Sequence, residues 1–395
     1  MAPTQVDTRQ QHAGRVQDRP LDVTSVAHDI GPVGGMERQL SDLLLGLRAL
    51  GHRVTVISRT CALPPDSGVV FHRVRAPGRP FALAYPWFML AGSIAVRRRR
   101  RGLVQATGAI VLDRLDVVAI HYCQQVGPAN ASRSTPLFRS HVRVAAVLKR
   151  LGERLGLRAN RPAAIVCVSE GVAEEVREHS PALARRVVTI NNGVDTRTFA
   201  PGARTAEARE LRDSMGIPQS SLVAAFVGSE WKRKGLEPAI RALALAPGWT
   251  LVVAGAGAQA EYAQLAEELQ VGDRVRWLGL TSDVALVYQL ADAFVLPSAY
   301  ETFSLVTFEA AASGLPLLAT PVSGVRELIE HGENGFLIDR EPTRIAGFLR
   351  ALADDPGLRA RMGSAARESA LAYSSSRMVN EHHDLYARLR AALAG

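Results

Sequence analysis

Short apolar runs alternate with longer amphipathic segments, twice over, along 395 residues, and this predicts an α/β protein of two Rossmann-like domains facing a cleft. A stretch rich in turn formers, Asn191-Asn192-Gly193-Val194-Asp195 through Pro201-Gly202, separates the two alternations. Glycines and carboxylates fall at the carboxyl ends of several apolar runs, where sheets of this kind bind their ligands. The expected division is a mobile tail at 1–20, a first domain at 21–198, a second at 199–375 and a helix at 376–395 that packs back on the first.

The elements follow in order. Residues 21–27 read as a core strand, followed by a loop that ends in Gly34-Gly35. The helix after it carries Leu40, Leu43, Leu44, Leu47 and Leu50 on one stripe and stops at Gly51. Further strands are expected at 53–58, 103–107, 117–121, 163–168 and 187–190. Beyond the break the alternation restarts with strands at 222–227, 250–254, 275–278, 293–296 and 315–319. Residues 304–313 read as a helix closed by Gly314. No short-period repeat is present.

Composition narrows the class. With 47% hydrophobic and 22% charged residues the chain reads as a globular, enzyme-like protein, neither disordered nor fibrous. Cys61, Cys123 and Cys167 are scattered without a C-x-x-C pair, so neither a disulfide framework nor a zinc site is expected, and the compartment should be reducing and cytoplasmic. The first twenty residues are polar and do not read as a signal peptide. The longest apolar stretch, 81–96, is interrupted by Pro86 and is too short for a membrane span. The formal charge is +9, and Arg97 to Arg101 form an unbroken run. No nucleic-acid recognition module accompanies it. Because the run follows Trp87 and Phe88, it reads either as a solvated basic helix end or as a segment, Phe81–Arg101, that associates peripherally with the inner face of a membrane.

Four groups of residues could carry chemistry. Glu301 lies in the loop after the strand at 293–296, and Glu309 lies about a turn and a half inside the next helix. The first N–H groups of that helix stand between them and suit an anion. Two hydroxyl acceptors flanking a phosphate cradle fit a sugar nucleotide; a solvated helix acid and an ordinary loop acid fit the spacing as well. The glycine loop could bring backbone close to a ligand or simply make a tight turn, and it is not the dinucleotide pattern G-x-G-x-x-G. In Gly228-Ser229-Glu230-Trp231-Lys232-Arg233-Lys234-Gly235, Arg233 and Lys234 could meet the charge that builds on a departing pyrophosphate, or could be solvated loop cations. One unit-charge pair at ~4 Å is worth roughly 4 kcal/mol at an effective dielectric near 20. His121, at the end of its strand, could touch a sugar hydroxyl or be a satisfied core histidine, and Cys123 nearby does not make a metal site. No D-x-D triplet, G-x-S-x-G elbow or Walker loop occurs.

In this order and spacing the glycine loop, Val168-Ser169-Glu170, Asn192-Gly193-Val194-Asp195, Gly228 to Gly235, Pro297-Ser298, Glu301-x7-Glu309 and Gly314-x-Pro316 resemble the retaining glycosyltransferases of the GT-B fold, the family 4-like E-x7-E group. The resemblance runs from about residue 21 over nearly the whole chain. It implies that Glu301 binds donor-sugar hydroxyls, Glu309 the ribose hydroxyls, and Gly279 and Leu280 the base. The N–H groups of Phe303, Ser304, Leu305 and Val306 would hold the phosphates. The implied donor set is completed by Gly34, Gly35, Ser229 and Thr302, and the implied catalytic set is His121, Arg233, Lys234 and Glu301. The family usually places arginine where Ser229 stands. The variant here resembles that of lipopolysaccharide-core glucosyltransferases, with Arg233 expected to supply the charge.

The resemblance implies no metal and no cofactor, since the nucleoside-diphosphate sugar is a substrate. UDP is favoured and GDP next. The acceptor would be a hydroxyl on a glycan, glycolipid or small molecule, read by first-domain loops, and the arginine run suits a lipid-linked or anionic one. The competing readings are a sugar-nucleotide 2-epimerase, for which the first half offers no acidic cluster, and a non-catalytic sugar-nucleotide-binding protein. A hydrolase is disfavoured because its two carboxylates would straddle a helix N-terminus that invites phosphate.

Overall fold

The computed structural model describes residues 20–31, 34–77, 81–122, 147, 151–202 and 205–394. The expected tail, save Pro20, and Cys123 lie outside the described residues. Two parallel sheets form. The first takes β1 (Asp22–Val26), β3 (Arg53–Ser58), β5 (Val70–Arg73), β6 (Leu103–Thr107), β7 (Val117–Ile120), β8 (Ala164–Cys167) and β9 (Val187–Thr189) in the order β5-β3-β1-β6-β7-β8-β9. A short pair, β2 (Asp29–Ile30) with β4 (Thr60–Cys61), extends it beyond β1 and β3. The second sheet takes β10 (Leu222–Val227), β11 (Trp249–Ala254), β12 (Val275–Gly279), β13 (Ala293–Leu296), β14 (Leu317–Ala319) and β15 (Gly335–Leu337) in the order β12-β11-β10-β13-β14-β15.

The strands are short and apolar because helices cover both faces. Every residue of β11 and β13 is buried, as is every residue of β10 after Leu222. In each sheet the chain first winds outward from its starting strand and then returns to that strand's other side. The reversals fall between β1 and β6 in the first sheet and between β10 and β13 in the second. At such a reversal the loops leave the strand ends in opposite directions and open a crevice. The glycine loop leaves β1, residues 228–235 leave β10 and residues 297–304 leave β13, so the strand order alone delivers all three loops to crevices.

The chain crosses between the sheets near residues 191–198 and returns beside the same point, where Val194 bridges Ser374. Gln39 holds this crossing with both ends of its amide, donating to Gly193 O at 2.9 Å and accepting from Gly193 N at 2.8 Å. The last helix, Ser375–Ala394, lies on the first sheet's side, where Met378, Val379, Leu385 and Tyr386 share a core with Leu40, Leu43, Leu44 and Leu47. Two consecutive histidines of this helix face histidines of the first sheet's layer. His383 Nδ1 lies 2.9 Å from His52 Nε2, and His382 lies with His121 around a small cavity beneath Gln39 and Gln105.

Burial makes protonation of His121 and of His382 costly, holding each near about 4 against the ordinary 6.5, with their mutual repulsion adding to the effect on His121. In the unfolded chain both take up protons as the pH falls through about 6.5. The unfolded state therefore binds more protons in that window, and stability is lost as pH drops from about 6.5 to about 4, by up to roughly 3 kcal/mol for each histidine. Denaturant titrations at a series of pH values are expected to show this slope, and His382→Gln is expected to flatten it.

Candidate active site

β10 and β13 are hydrogen-bonded neighbours, so the loops that leave their carboxyl ends meet. The first carries Lys234 and Arg233, the second Glu301, and three donors converge on one oxygen of that carboxylate. Lys234 Nζ lies 2.9 Å, Arg233 Nη1 3.1 Å and the Ser298 hydroxyl 2.9 Å from Glu301 Oε1. Arg233 also donates to Tyr300 O at 2.6 Å and to Glu230 Oε2 at 2.8 Å. Glu301 and Lys234 are buried. Burial alone would push the Glu301 carboxyl up, but Lys234 and Arg233 hold it below the usual carboxylate range. Arg233 loses charge stability to burial and regains more from Glu301 and Glu230, so it is held above its ordinary value. Lys234 and Arg233 are thus balanced by two carboxylates, buried Glu301 and exposed Glu230, and water screens the charge of Glu230 the more.

Backbone strain marks both loops. Glu230 and Ser304 adopt left-handed φ values of 56° and 66°, which a residue with a Cβ rarely takes. Ser304 occupies the N-cap of the helix Leu305–Ala312, yet its side chain does not cap the helix; the hydroxyl pairs with Thr307 Oγ1 at 2.8 Å instead. The opening N–H groups of this helix are thus left for another partner. Thr302 O accepts from Ser169 Oγ at 2.6 Å, tying this loop to the first half of the chain. Phe303 stacks on Phe308 with centroids 4.1 Å apart and anchors the turn.

Glu309 is buried in the middle of that helix. Its Oε1 is paired with Arg38 from the first domain, and its Oε2 accepts from the Tyr288 hydroxyl at 3.1 Å. Burial outweighs these partners and holds Glu309 above the ordinary carboxylate value, the opposite of Glu301. A cavity of about 230 Å³ opens beside it, lined from both halves by Arg38, Asp195, Ser282 and Asp283. Gly34 precedes the first helix at φ 93°, and a Cβ on Gly35 would come 3.2 Å from Leu305 Cδ1 across the cleft. The glycine loop therefore faces the open end of the helix Leu305–Ala312.

The remaining expected residues fall in three places. Ser229 Oγ accepts from Ala256 N at 3.3 Å at the back of the loop. Gly279 ends β12, its carbonyl accepting from Gly255 N at 2.7 Å, and Leu280 beside it is 78% exposed. His121 borders the small cavity with His382, on the first domain's side of the cleft. Its neighbour Tyr122 meets Tyr300, the neighbour of Glu301, edge to face at 5.9 Å, so the two strand ends confront each other across the crevice.

Ser298, Tyr288 and Arg38 complete the arrangement, and sequence reasoning assigned none of them a part. Ser298 could have been found from its place at the end of β13, three residues before Glu301. Tyr288 carries no local signal, because its helix Val284–Gln289 is distant from Glu309 in the chain.

Comparisons with known proteins agree with this layout. The family model described as "Glycosyltransferase Family 4" matches residues 33–198, and the one described as "Glycosyl transferases group 1" matches residues 207–369. An uncharacterized glycosyltransferase of Methanocaldococcus jannaschii is 28% identical over 351 residues, 82% of this chain and 86% of that protein. The D-inositol 3-phosphate glycosyltransferase of Corynebacterium glutamicum is 34% identical over 227 residues, and the match spans only about half of either chain, 54% of each. Among solved structures, WaaG, a glycosyltransferase involved in lipopolysaccharide biosynthesis, superimposes with a TM-score of 0.75 at 21% identity, over 92% of this chain and 99% of that one. Anabaena HepE in complex with UDP-glucose gives 0.72 at 21% identity, over 92% and 99%. At these identities the structural likeness shows the fold alone.

One glycine holds the cation loop in place. Gly235 sits at φ 81°, and a Cβ there would stand 2.1 Å from Pro297 O. Gly235→Ala is expected to cost more than about 1 kcal/mol, because the strained backbone and the clash add. Calorimetry checks the loss of stability. Ser229→Ala, at a position with an ordinary backbone and one long hydrogen bond, is expected to melt close to the parent.

Proposed function

We propose how this chain, which belongs to the family 4-type glycosyltransferases of the GT-B fold, carries out its transfer: it moves a sugar from a nucleoside-diphosphate sugar to an acceptor hydroxyl, without a metal and with retention of anomeric configuration. The observation that carries this reading is the convergence of Lys234, Arg233 and Ser298 on a single oxygen of buried Glu301, beside an uncapped helix N-terminus.

The diphosphate lies along the N–H groups of Phe303 to Val306, with Lys234 and Arg233 beside it. Negative charge grows on its leaving oxygen as the glycosidic bond stretches, and the fixed cations Lys234 and Arg233 stabilise that state more than the ground state. Glu301, oriented by its three donors, accepts from donor-sugar hydroxyls. Glu309 holds the ribose hydroxyls, for which Arg38 must yield, and the base lies against Gly279 and Leu280. The acceptor hydroxyl attacks on the face that the diphosphate leaves, the departing phosphate takes the proton, and no side-chain base is needed. His121 would approach the sugar from the first domain.

UDP-sugars are the favoured donors and GDP-sugars next, supported by the solved complexes of HepE with UDP and with UDP-glucose. The acceptor is a hydroxyl compound, lipid-linked or anionic, met by a protein peripheral at the cytoplasmic face of a membrane. The D-inositol 3-phosphate in the names of the corynebacterial relatives supports an anionic acceptor.

Glu301→Gln and Lys234→Met are each expected to lower kcat on the order of 100-fold or more, the size seen when one charge-stabilising donor is lost. Melting-temperature shifts against a panel of nucleotide sugars identify the donor, since tight binding stabilises by mass action. Turnover is then followed with that donor, with the anomeric configuration of the product read by NMR and EDTA present throughout. Near-parental turnover in either variant, an inverted product, or activity lost to chelation and restored by divalent ions would each overturn the reading.

A further inference from the structure

The helix Phe81–Arg99 is apolar on two opposite faces. Tyr85, Phe88, Met89 and Val96 are buried in the core at the spacing of one helical stripe. On the other side Leu83, Trp87, Leu90 and Ile94 recur at intervals of four, three and four, and stand 52% to 66% exposed. No charged side chain occurs between Phe81 and Val96. A solvent-facing helix surface ordinarily carries charge, and this one carries none. A second exposed row follows at Val147, Leu151 and Leu155, 49% to 61% exposed. Its segment packs on the buried face of Phe81–Arg99, where a Cβ on Gly152 would come 2.6 Å from the Tyr85 hydroxyl.

The rim of this apolar surface is basic. Arg97 to Arg101 follow directly and are all exposed. Arg97 approaches Asp113 at 3.6 Å, whereas Arg98, Arg99 and Arg100 have no acidic partner among the described residues. Elsewhere along the helix, Trp87 lines a shallow pocket of about 340 Å³ with Arg59, Arg73 and Arg75. Trp87 Nε1 donates to Arg75 O at 3.0 Å, which fixes the indole at the pocket's edge. Arg59 is paired with Asp29, while Arg73 and Arg75 have no acidic partner among the described residues.

We infer that this face docks on an anionic bilayer, with Leu83, Trp87, Leu90 and Ile94 entering the acyl boundary and the arginines meeting lipid phosphates. A bilayer surface supplies both chemistries that the face presents, an apolar interior and a layer of phosphate above it. A second copy on a twofold axis would instead bring the same arginine rim onto itself, against like-charge repulsion. Docking also has a consequence for the cleft. Phe88 and Tyr85 pack on the ring of His28, at 4.3 and 5.9 Å, directly after β1 and before the glycine loop. The first domain's side of the crevice is thereby held next to the lipid surface, where a lipid-linked acceptor would present its hydroxyl.

The inference deepens the acceptor reading above, and its test contains no transfer step, so either can fail alone. The full chain is sedimented with vesicles of phosphatidylcholine, with and without phosphatidylglycerol. Binding is expected to the anionic vesicles, to weaken as salt rises, and to shift Trp fluorescence to the blue in the parent but not in Trp87→Phe. Replacing Arg98, Arg99 and Arg100 together by glutamine is expected to lower partitioning on the order of 100-fold, at roughly five-fold per arginine. Leu90→Glu is expected to abolish it while the melting temperature stays near the parent's. No binding, equal binding to neutral vesicles, binding that survives both variants, or a dimer that Leu90→Glu dissociates in the absence of any vesicle binding would each overturn it.

Discussion

A buried lysine, a half-buried arginine and one buried carboxylate, locked together where β10 and β13 end side by side, constrain everything around them. Taking each ion out of water costs several kcal/mol, and the mutual attraction offsets this only when the geometry is good and the remaining hydrogen bonds are made. Here it is good, since Lys234, Arg233 and Ser298 all reach Glu301 Oε1 within 3.1 Å. Such a cluster adds little to stability compared with an apolar core of the same shape. In the proposed transfer its worth lies in holding two cations still, so that little reorganisation is needed when a negative charge develops nearby. The parallel sheet is the means: adjacent strands at a reversal of strand order bring the two loops together while their connecting helices lie elsewhere.

The second half of the chain holds its cluster without help, but the crevice needs both halves. Four ties span it. Ser169 reaches Thr302 O, and Glu327 accepts from both Glu170 N at 2.9 Å and Asn191 Nδ2 at 2.6 Å. Tyr122 meets Tyr300, and Arg38 meets Glu309. The first two lie close to the crossing at residues 191–198 and suit a pivot, because short bonds near a hinge survive a small rotation. The last two involve loops farther along the crevice, where a ligand would have to part them. Ligand entry and relative movement of the two halves are therefore linked by the same contacts.

Much of this was legible in the sequence, for physical reasons. Strands buried on both faces must be continuous apolar runs, and eleven of them were read within a few residues from that fact alone. β5 and β15 were missed because each is short and carries little of that signature: Val70 and Phe71 of β5 are exposed, and β15 opens with Gly335. The helix Phe81–Arg99 gave no helical period because both of its faces are apolar, and Pro86 in its first turns read as an interruption. Within the site, Glu301, Glu309, Arg233 and Lys234 were visible as charges at strand ends. The pairing of Arg38 with Glu309 was not, since it joins residues 271 apart in the chain and follows from how the two halves face each other.

That pairing separates the two carboxylates that spacing had made look alike. Glu301 has two cations from its own domain and stays below the ordinary carboxylate value whatever the other half does. Glu309 is paired with one cation, which comes from the opposite side of the crevice, while Lys234 acts on it more weakly. Even with Arg38 in place, burial holds Glu309 above the ordinary value. If Arg38 moves away, the carboxylate loses its largest favourable charge contact and keeps the Tyr288 hydroxyl and the weaker attraction of Lys234. It must then take up a proton or find new hydrogen-bond donors. Paired neutral hydroxyls, such as those of a ribose, are donors of the right kind and need no counter-charge. The same burial that makes Glu309 a poor permanent anion suits it to the ribose diol of the proposed donor, whereas Glu301, already satisfied on one oxygen, stays charged and fixed. Two acids eight residues apart are set to different tasks by which half of the protein supplies their partners.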